Sequence, residues 1–286
     1  MSKKAIIFLT GGLGNQLFQY AFSKYIHSEF NIDTEFNTDF YYSDFKGQTC
    51  RKIELNLFKL EFKQSTGNYF QRKILRIKEK LSFLTPNPFT NYFSENNLNY
   101  KNLKNITLKK KNFFRGYWQN YKYFESVQAD IKKDFSLSHN LKYLDKITYN
   151  KIIKTNSVCV HVRRSDFIDS VYDVVDEKYY KKAYKELISK FLDLECFIFS
   201  DDIDWCIENL SFIKNSNFCS FSMINDFHLM SLCKHFIIPN STFSWWAAFL
   251  SNYKEKNVLI PSKWHQNNLE FFNNSSPKNW IKIKND

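Results

Sequence analysis

Glycine and proline are scarce in this 286-residue chain, at 6 and 5 copies, which leaves out the Gly/Pro-rich low-complexity classes. The 6 cysteines, Cys50, Cys159, Cys196, Cys206, Cys219 and Cys233, form no Cys-x-x-Cys pair. A structural zinc site therefore has little support, and several of these residues sit inside apolar runs such as Ser157–Val162. They read as buried thiols of a reducing compartment. No apolar run approaches the roughly 20 residues of a membrane span. The opening run Ala5–Thr10 is too short for a secretory signal, so the expected location is cytoplasmic. No Ser-His-Asp, His-Glu-x-x-His or Cys/His constellation occurs, which removes support for hydrolase and metalloenzyme chemistry. A nucleic-acid motif with basic and aromatic residues interleaved is missing too.

What is present is apolar mass and positive charge. Hydrophobic residues make up 43% and aromatic residues 19%, enough for packed cores, so general disorder is excluded. The length suits one large or two modest domains. The net charge of +12 is uneven. Residues 1–150 carry 24 Lys and Arg against 13 Asp and Glu, a balance of +11, while residues 151–286 carry 17 against 16, a balance of +1. A basic first half points to an anionic partner, whether phosphate, nucleic acid or membrane surface; a solvated lysine-rich surface is the alternative.

The second half alternates strands and helices. Strand patterns cover Ser157–Val162, Cys196–Phe199, Asn217–Phe221, His235–Ile238 and Asn257–Ile260. Helical patterns cover Glu177–Leu194, Ile203–Leu210, Asp226–Cys233 and Phe243–Leu250. The first half opens alike, with strand Ala5–Thr10 and a helix whose face carries Leu17, Phe18, Ala21, Phe22, Tyr25 and Ile26. Such alternation predicts βαβ units on parallel sheets. The expected fold is α/β, with two Rossmann-type domains facing a central cleft. The polar, lysine-rich stretch Ser136–Thr155 marks the boundary, giving domains 1–150 and 151–286.

Ligands of parallel sheets bind beyond the carboxyl ends of the strands, and the polar clusters fall there. Gly11-Gly12-Leu13-Gly14-Asn15-Gln16 follows the first strand; its glycines allow positive φ and close approach of backbone to a ligand. It matches neither a dinucleotide fingerprint nor a P-loop, because Leu17 stands where a small residue is needed and no Gly-Lys-Ser/Thr follows. His161-Val162-Arg163-Arg164-Ser165-Asp166 places two arginines at a strand end, where their forks suit phosphate oxygens and Asp166 can orient one of them. Asp226 opens a predicted helix, either as an N-cap or as an acceptor for the N1–H and N2 amino group of guanine. Ser241, Thr242, Phe243 and Ser244 put hydroxyls and backbone N–H groups at another helix start, a phosphate cradle, with Trp245 and Trp246 as packing behind it. Asp201 and Asp202 end a further strand, and a cap or ribose contact suits them better than a metal.

Together these segments resemble the α-1,2-fucosyltransferases of glycosyltransferase family eleven. The Gly11–Gln16 loop with Leu17-Phe18-Gln19-Tyr20-Ala21, the His161–Asp166 motif, Phe199–Asp202 and Asn240–Ala248 carry the likeness, from Ala5 to about Pro261. The resemblance implies a GT-B-like fold with an acceptor-side first domain and a donor-binding second domain. GDP-β-L-fucose would be the donor, with inversion to an α-linkage on a galactose-terminated glycan. It implies Arg163 at the β-phosphate, Asp226 at guanine, and Asn15 near fucose and acceptor. Gly12, Gly14, His161, Arg164, Asp166, Asp202 and Ser241 to Ser244 would complete the donor site. Neither metal nor cofactor is expected, and no residue stands out as the general base. A different GDP-sugar or linkage, and a non-catalytic nucleotide- or nucleic-acid-binding protein, remain as alternatives.

Residues 70–84 add a basic amphipathic pattern. Phe70, Ile74, Ile77, Leu81 and Leu84 share one helical face and Arg72, Lys73, Arg76, Lys78 and Lys80 occupy the rest. Such a helix can lie on the anionic inner face of a membrane, or pack its stripe on its own domain.

Overall fold

The structure is a computed structural model that describes residues 2–42, 51–67, 73–75, 77–78, 81, 91–95, 103–137, 145–267 and 276–285. It divides into two units, Met1–Ser136 and Leu137–Asp286. Each unit is built on a parallel sheet, the GT-B-like pair of Rossmann-type folds expected from the alternating elements. The division falls before the residue-150 boundary read from sequence. Lys146–Lys154, expected as linker, forms a helix (α3 below) that Asp145 caps by accepting from Ile147 N and Thr148 N, and that runs straight into a strand of the second unit.

In the first unit, strands β1 (Lys4–Phe8), β2 (Asp33–Asn37), β3 (Gln64–Ser65), β4 (Tyr92–Ser94) and β5 (Lys111–Arg115) lie in the order β3-β2-β1-β5-β4. Helix α1 (Leu13–Phe30) follows β1 and ends at Asn31, whose left-handed backbone (φ 50) stops the helix. Aromatic side chains fill the core around α1. The Phe22 ring stacks on Trp118 at 4.0 Å and Tyr20 on Phe36 at 6.1 Å. Helix α2 (Gln128–Asp134) is tied to α1 by Asp134, which accepts from Tyr20 Oη at 2.9 Å and pairs with Lys24 at 2.8 Å.

Two glutamines on α1 are fully buried, an uncommon place for an amide unless its hydrogen bonds are met. Here they are. Gln16 Nε2 donates to the carbonyls of Gly11 (3.0 Å) and Lys52 (2.7 Å), while its Oε1 accepts from Glu54 N (2.8 Å) and Leu55 N (3.3 Å). Gln19 Nε2 donates to Thr10 Oγ1 (2.9 Å) and the Gly116 carbonyl (3.0 Å), and its Oε1 accepts from Thr10 N (2.9 Å).

The second unit holds β6 (Asn156–Val162), β7 (Leu194–Ser200), β8 (Ser216–Cys219), β9 (His235–Ile237), β10 (Val258–Pro261) and β11 (Ile281–Ile283) in the order β11-β10-β9-β6-β7-β8. Its helices are α3 (Lys146–Lys154), α4 (Glu177–Ile188), α5 (Ile203–Asn209), α6 (Met223–Leu232) and α7 (Thr242–Leu250). Helix α4 is shorter than its sequence pattern, because the chain turns at Asp193 (φ 55) and leaves Leu192 in solvent before β7 begins. Trp245 and Trp246 are fully buried, as packing residues should be. Full burial of a large apolar side chain contributes about 1.5–3 kcal/mol. Cys159, Cys196, Cys206, Cys219 and Cys233 are buried free thiols; Cys50 lies outside the described residues.

Among the described residues no helix is long and apolar enough to cross a membrane. In the basic segment at 70–84, Phe70, Arg72, Arg76, Lys80 and Leu84 fall outside the described residues. The rest of the stripe faces outward, with Ile74, Ile77 and Leu81 exposed at 38%, 50% and 50%. The residue that packs on β1, β4 and β5 is Leu75, against Ile6, Phe8, Tyr92 and Phe113. Lys78 lies over the Phe113 ring at 5.4 Å.

The glutamine knots make a test of this architecture. Replacing Gln16 by Leu keeps the volume roughly but removes the partner of the Lys52 carbonyl and of the Glu54 and Leu55 N–H groups, each worth about 1–3 kcal/mol when buried and unpaired, while the Gly11 carbonyl keeps its bond from Tyr41 Oη. The variant is expected to unfold at clearly lower urea concentration than the parent. An unchanged midpoint would show that Gln16 does not hold the Gly11 loop.

Candidate functional site

In a parallel sheet the strand order reverses at one place, and the loops on either side of that reversal open a crevice at the carboxyl ends. In the second unit the reversal lies between β6 and β9, since β7 and β8 extend one way and β10 and β11 the other. The segment following β6 is Arg163–Asp166, directly after His161 and Val162, and the segment following β9 leads to Ser241–Ser244. The topology thus brings together two clusters separated by some eighty residues.

The arginines are fixed by carboxylates. Arg163 Nε donates to Asp166 Oδ1 at 2.8 Å and its Nη1 pairs with Asp201 Oδ2 at 2.9 Å. These two pairs, from different edges of the guanidinium, fix its plane and direction. Arg164 is held differently. Its Nε donates to Asp202 Oδ2 at 3.0 Å and its guanidinium lies over the Trp205 ring at 4.3 Å. Arg164 therefore braces the loop, while Arg163 presents its fork. Asp201, at the end of β7, also accepts from the backbone N–H groups of Arg164 (2.9 Å) and Ser165 (3.2 Å). Asp202 caps α5 by accepting from Trp205 N at 3.2 Å, the cap role read from sequence.

These five side chains sum to a formal −1, from two arginines and three aspartates. The cluster therefore offers an anionic ligand directed N–H groups rather than net positive charge. The start of α7 supplies more of them. Its first helical bond runs from Trp245 N to the Ser241 carbonyl, so the amides of Thr242, Phe243 and Ser244 precede any helical acceptor. Ser241 sits at the N-cap position but its side chain makes no capping bond, and its own N–H turns back to Pro239 O at 2.8 Å. Asn240 anchors the approach to the helix by donating to the carbonyls of Tyr172 and Trp264, both at 2.9 Å.

His161 is buried. Burial first, then the Arg163 charge, pushes its imidazole down to about 3, so it is neutral at physiological pH. Its Nδ1 is buried without a hydrogen-bond partner, and its ring lies 5.9 Å from Phe243. Phe243 in turn meets Phe227 at 5.1 Å, which brings α6 and its Asp226 to the same crevice.

Asp226 is not an N-cap. Helix α6 begins three residues earlier, at Met223 with Ser222 in the cap position, so Asp226 lies in its first turn. One carboxylate oxygen accepts from Phe221 N at 3.1 Å. Burial pushes this carboxyl up to about 6, against the lowering effect of that one bond. A half-buried acid carrying a single protein hydrogen bond is an incomplete acceptor, suited to a ligand with two adjacent N–H donors.

The first unit has its own reversal, between β1 and β5. Helix α1 begins at Leu13, inside the glycine loop, so Gly14, Asn15 and Gln16 belong to its first turn and Gly12 is the N-cap. Among the described glycines only Gly11 has positive φ (77), whereas Gly12 is extended (φ −85). A Cβ on Gly11 would stand 2.6 Å from Asn15 Nδ2, so Asn15 packs directly on the loop. Asn15 Oδ1 accepts from Gln119 Nε2 at 2.8 Å. Gln119 follows β5, in a segment Gly116-Tyr117-Trp118-Gln119 that sequence reasoning passed over; its signal was a glycine closing the short strand-like stretch Phe113-Phe114-Arg115. Asn15 belongs to this first-unit group, and the remaining donor-site candidates from His161 onward belong to the second. Among the described residues no group of three His, Cys, Asp or Glu is placed to hold a metal ion.

Residues 5–284 match the model of glycosyl transferase family 11. The chain is 31% identical to an alpha-1,2-colitosyltransferase of Escherichia coli, over 96% of this chain and 97% of that one. It is 30% identical to the O-antigen biosynthesis glycosyltransferase WbnK of Escherichia coli, over 91% and 94%. It is also 26% identical to galactoside alpha-(1,2)-fucosyltransferase 2 of Rattus norvegicus, over 48% of this chain and 43% of that one.

The raised Asp226 carboxyl has a consequence for stability. An acid whose folded value lies above its unfolded value costs the fold stability once it ionises. That penalty is absent below about pH 4, where the carboxyl is protonated in both states, grows between about pH 4 and about 6, and is constant above. Asp226→Asn is therefore expected to stabilise the ligand-free chain at pH 8, by about 1–2 kcal/mol once solvent screening of this partly exposed group is allowed for. The gain should vanish at pH 4. Equal unfolding midpoints of variant and parent at pH 8 would show that the carboxyl is not strained by burial.

Proposed function

The chain is a member of glycosyl transferase family 11, hence a glycosyltransferase, and we propose that it transfers L-fucose from GDP-β-L-fucose to O2 of a galactose residue with inversion, forming an α-1,2 linkage. The observation that carries this reading is Arg163, held by Asp166 and Asp201 with part of its fork unengaged, at the reversal point of the second sheet. In the proposed reaction the acceptor oxygen bonds to C1 of the sugar as the bond from C1 to the β-phosphate oxygen breaks. Negative charge then grows on the leaving diphosphate, where fixed N–H donors have their largest effect on rate. Arg163 and the amides at the start of α7 are those donors. Asp226 accepts from N1–H and the N2 amino group of guanine, which uracil and cytosine cannot reproduce. Asn15, braced by Gln119, is assigned in this proposal to recognition of the sugar or the acceptor. Catalysis through these donors needs no divalent metal, since Asp201 and Asp202 are committed to the arginines and to α5.

A second donor is favoured by one observation, the 31% identity to an alpha-1,2-colitosyltransferase over nearly the whole chain. Colitose is L-fucose without the hydroxyl at C3, so both nucleotide sugars present the same diphosphate and base. The deciding experiment is GDP release from GDP-fucose and from GDP-colitose with a panel of galactosides, the product linkage being assigned by NMR. Thermal shift with GDP, UDP, CDP and a short oligonucleotide separates both readings from a non-catalytic binding protein. Stabilisation by the oligonucleotide alone would overturn the transferase assignment.

The exposed Ile74, Ile77 and Leu81, beside the exposed Lys73, favour a peripheral contact with an anionic membrane surface, as part of the same proposal. Basic residues near such a surface contribute about 1 kcal/mol each. The chain is expected to co-sediment with liposomes containing anionic lipid at low salt and to be released by high salt. Binding that survives Ile74→Ser, Ile77→Ser and Leu81→Ser together would place the contact elsewhere.

Arg163→Lys keeps the charge and loses the planar fork. The expected effect is a fall in kcat of about 100-fold, the scale for removing one transition-state donor. Activity of the parent is expected to survive EDTA. A lysine variant turning over at the parental rate would remove Arg163 from the leaving-group site, and loss with EDTA followed by rescue with Mn²⁺ would make the reaction metal-dependent.

A further inference from the structure

The reaction proposed above must also remove a proton from the acceptor hydroxyl, and none of the residues so far described does this. Among the described residues of the first unit, one carboxyl has an oxygen buried without a hydrogen-bond partner. Glu95 follows β4 directly, beside β5, and is joined to it by Glu95 N donating to the Arg115 carbonyl at 3.0 Å. Its Oε2 accepts from two successive backbone N–H groups of the turn after β5, Tyr117 N at 2.7 Å and Trp118 N at 2.9 Å. Its Oε1 is buried and has no hydrogen-bond partner.

The turn is shaped around this carboxyl. A Cβ on Gly116 would stand 2.5 Å from Glu95 Cβ and 2.7 Å from Oε2, so any other residue there would displace Glu95. Trp118 takes a left-handed backbone (φ 56), unusual for a bulky side chain, and its indole is locked against Phe22. The carbonyl of Gly116 is held by Gln19, and the next side chain, Gln119, is bonded to Asn15. Glu95 is thus coupled through one short turn to the glycine loop, at the carboxyl ends of β1, β5 and β4.

A purely structural carboxylate would need only Oε2. A second oxygen buried without a partner costs stability, and such costs persist where function requires them. Resting on the transferase reading above, we propose that Glu95 is the general base: its Oε1 takes the proton of the acceptor hydroxyl while that oxygen bonds to C1 of the donor sugar, and the breaking C1–O bond leaves its electron pair on GDP. Protonated Glu95 then returns its proton to water.

Burial pushes this carboxyl up to about 7, against the lowering effect of the Trp118, Tyr117 and Gln119 backbone N–H groups. The surrounding elements bring little charge to it. Strand β5 contributes Arg115, whose guanidinium lies over the Phe8 ring, the turn contributes the exposed Tyr117, and β1 and α1 contribute the neutral Thr10, Asn15 and Gln19. A base with a value near neutrality is matched to its task.

Glu95→Gln separates the two roles, because the amide oxygen can still accept from Tyr117 N and Trp118 N while the basic oxygen is gone. With GDP-fucose and an accepted galactoside, kcat is expected to fall at least about 100-fold, with GDP affinity unchanged by calorimetry. The kcat/KM of the unmodified chain should rise about tenfold per pH unit below 7 and level off above it; the variant should show no such limb. Sodium azide, a nucleophile that needs no deprotonation, should restore GDP release from GDP-fucose in the variant. Turnover within threefold of the parent, a loss without azide rescue, or a pH-independent kcat/KM in the unmodified chain would each overturn the assignment. The last readout needs no variant. An unmodified chain that releases no GDP from either nucleotide sugar with any galactoside would count instead against the donor reading.

Discussion

One carboxylate organises the second unit's site. Asp201 receives the guanidinium of Arg163 and two backbone N–H groups, Arg164 N and Ser165 N. The loop after β6 has no strand to pair with, so its N–H groups need side-chain acceptors. Asp201 provides them from the end of β7, the neighbouring strand in register with β6 from Asn156 to Val162. The same contact that keeps the loop in place aims Arg163. Loop placement and the aim of Arg163 therefore share a single group, and neither can be altered without the other.

The first unit meets the same demand with neutral amides. Gln16 and Gln19 close the groups around Gly11 and Gly116, and Gln119 braces Asn15. The arginine loop is fixed by carboxylates, whose charge complements the guanidinium. The glycine loop is fixed by amides, which bring no net charge to it. Glu95 is the exception in the first unit, and its orphaned oxygen marks it out.

Much of the architecture was legible in the linear pattern. Five of the second unit's described strands, β6 to β10, begin and end within about two residues of the expected runs. The central β6, β9 and β10 are buried almost throughout, so they must be apolar on both faces; the short edge strand β11 is only partly buried and was not expected. The pairing of phosphate-suited clusters at strand ends was legible for the same reason. Errors gathered where a backbone feature decided the matter. Helix α1 starts inside the glycine loop, since Gly14 and Asn15 can adopt helical geometry once Gly11 has made the turn. Asp226 moved from cap to first turn because helix α6 starts at Met223, with Ser222 in the cap position. Helix α3 was hidden in a polar, lysine-rich stretch, where only Ile152 is buried and no apolar stripe announces it.

The sequence by itself determined the fold class, the family, and the residues at which phosphate and guanine recognition are proposed, because those depend on periodicity and on residue types clustered within a few positions. Tertiary structure alone decided how those residues divide their work. Arg163 presents its fork and Arg164 braces on Trp205, a distinction two adjacent arginines cannot reveal. It also brought Glu95 and Gln119 to the glycine loop across β1, β5 and β4, strands far apart in the chain. Nothing in the local pattern around Glu95 separates it from any surface glutamate. What sets it apart is burial and a missing partner, and both exist only once the sheet has formed.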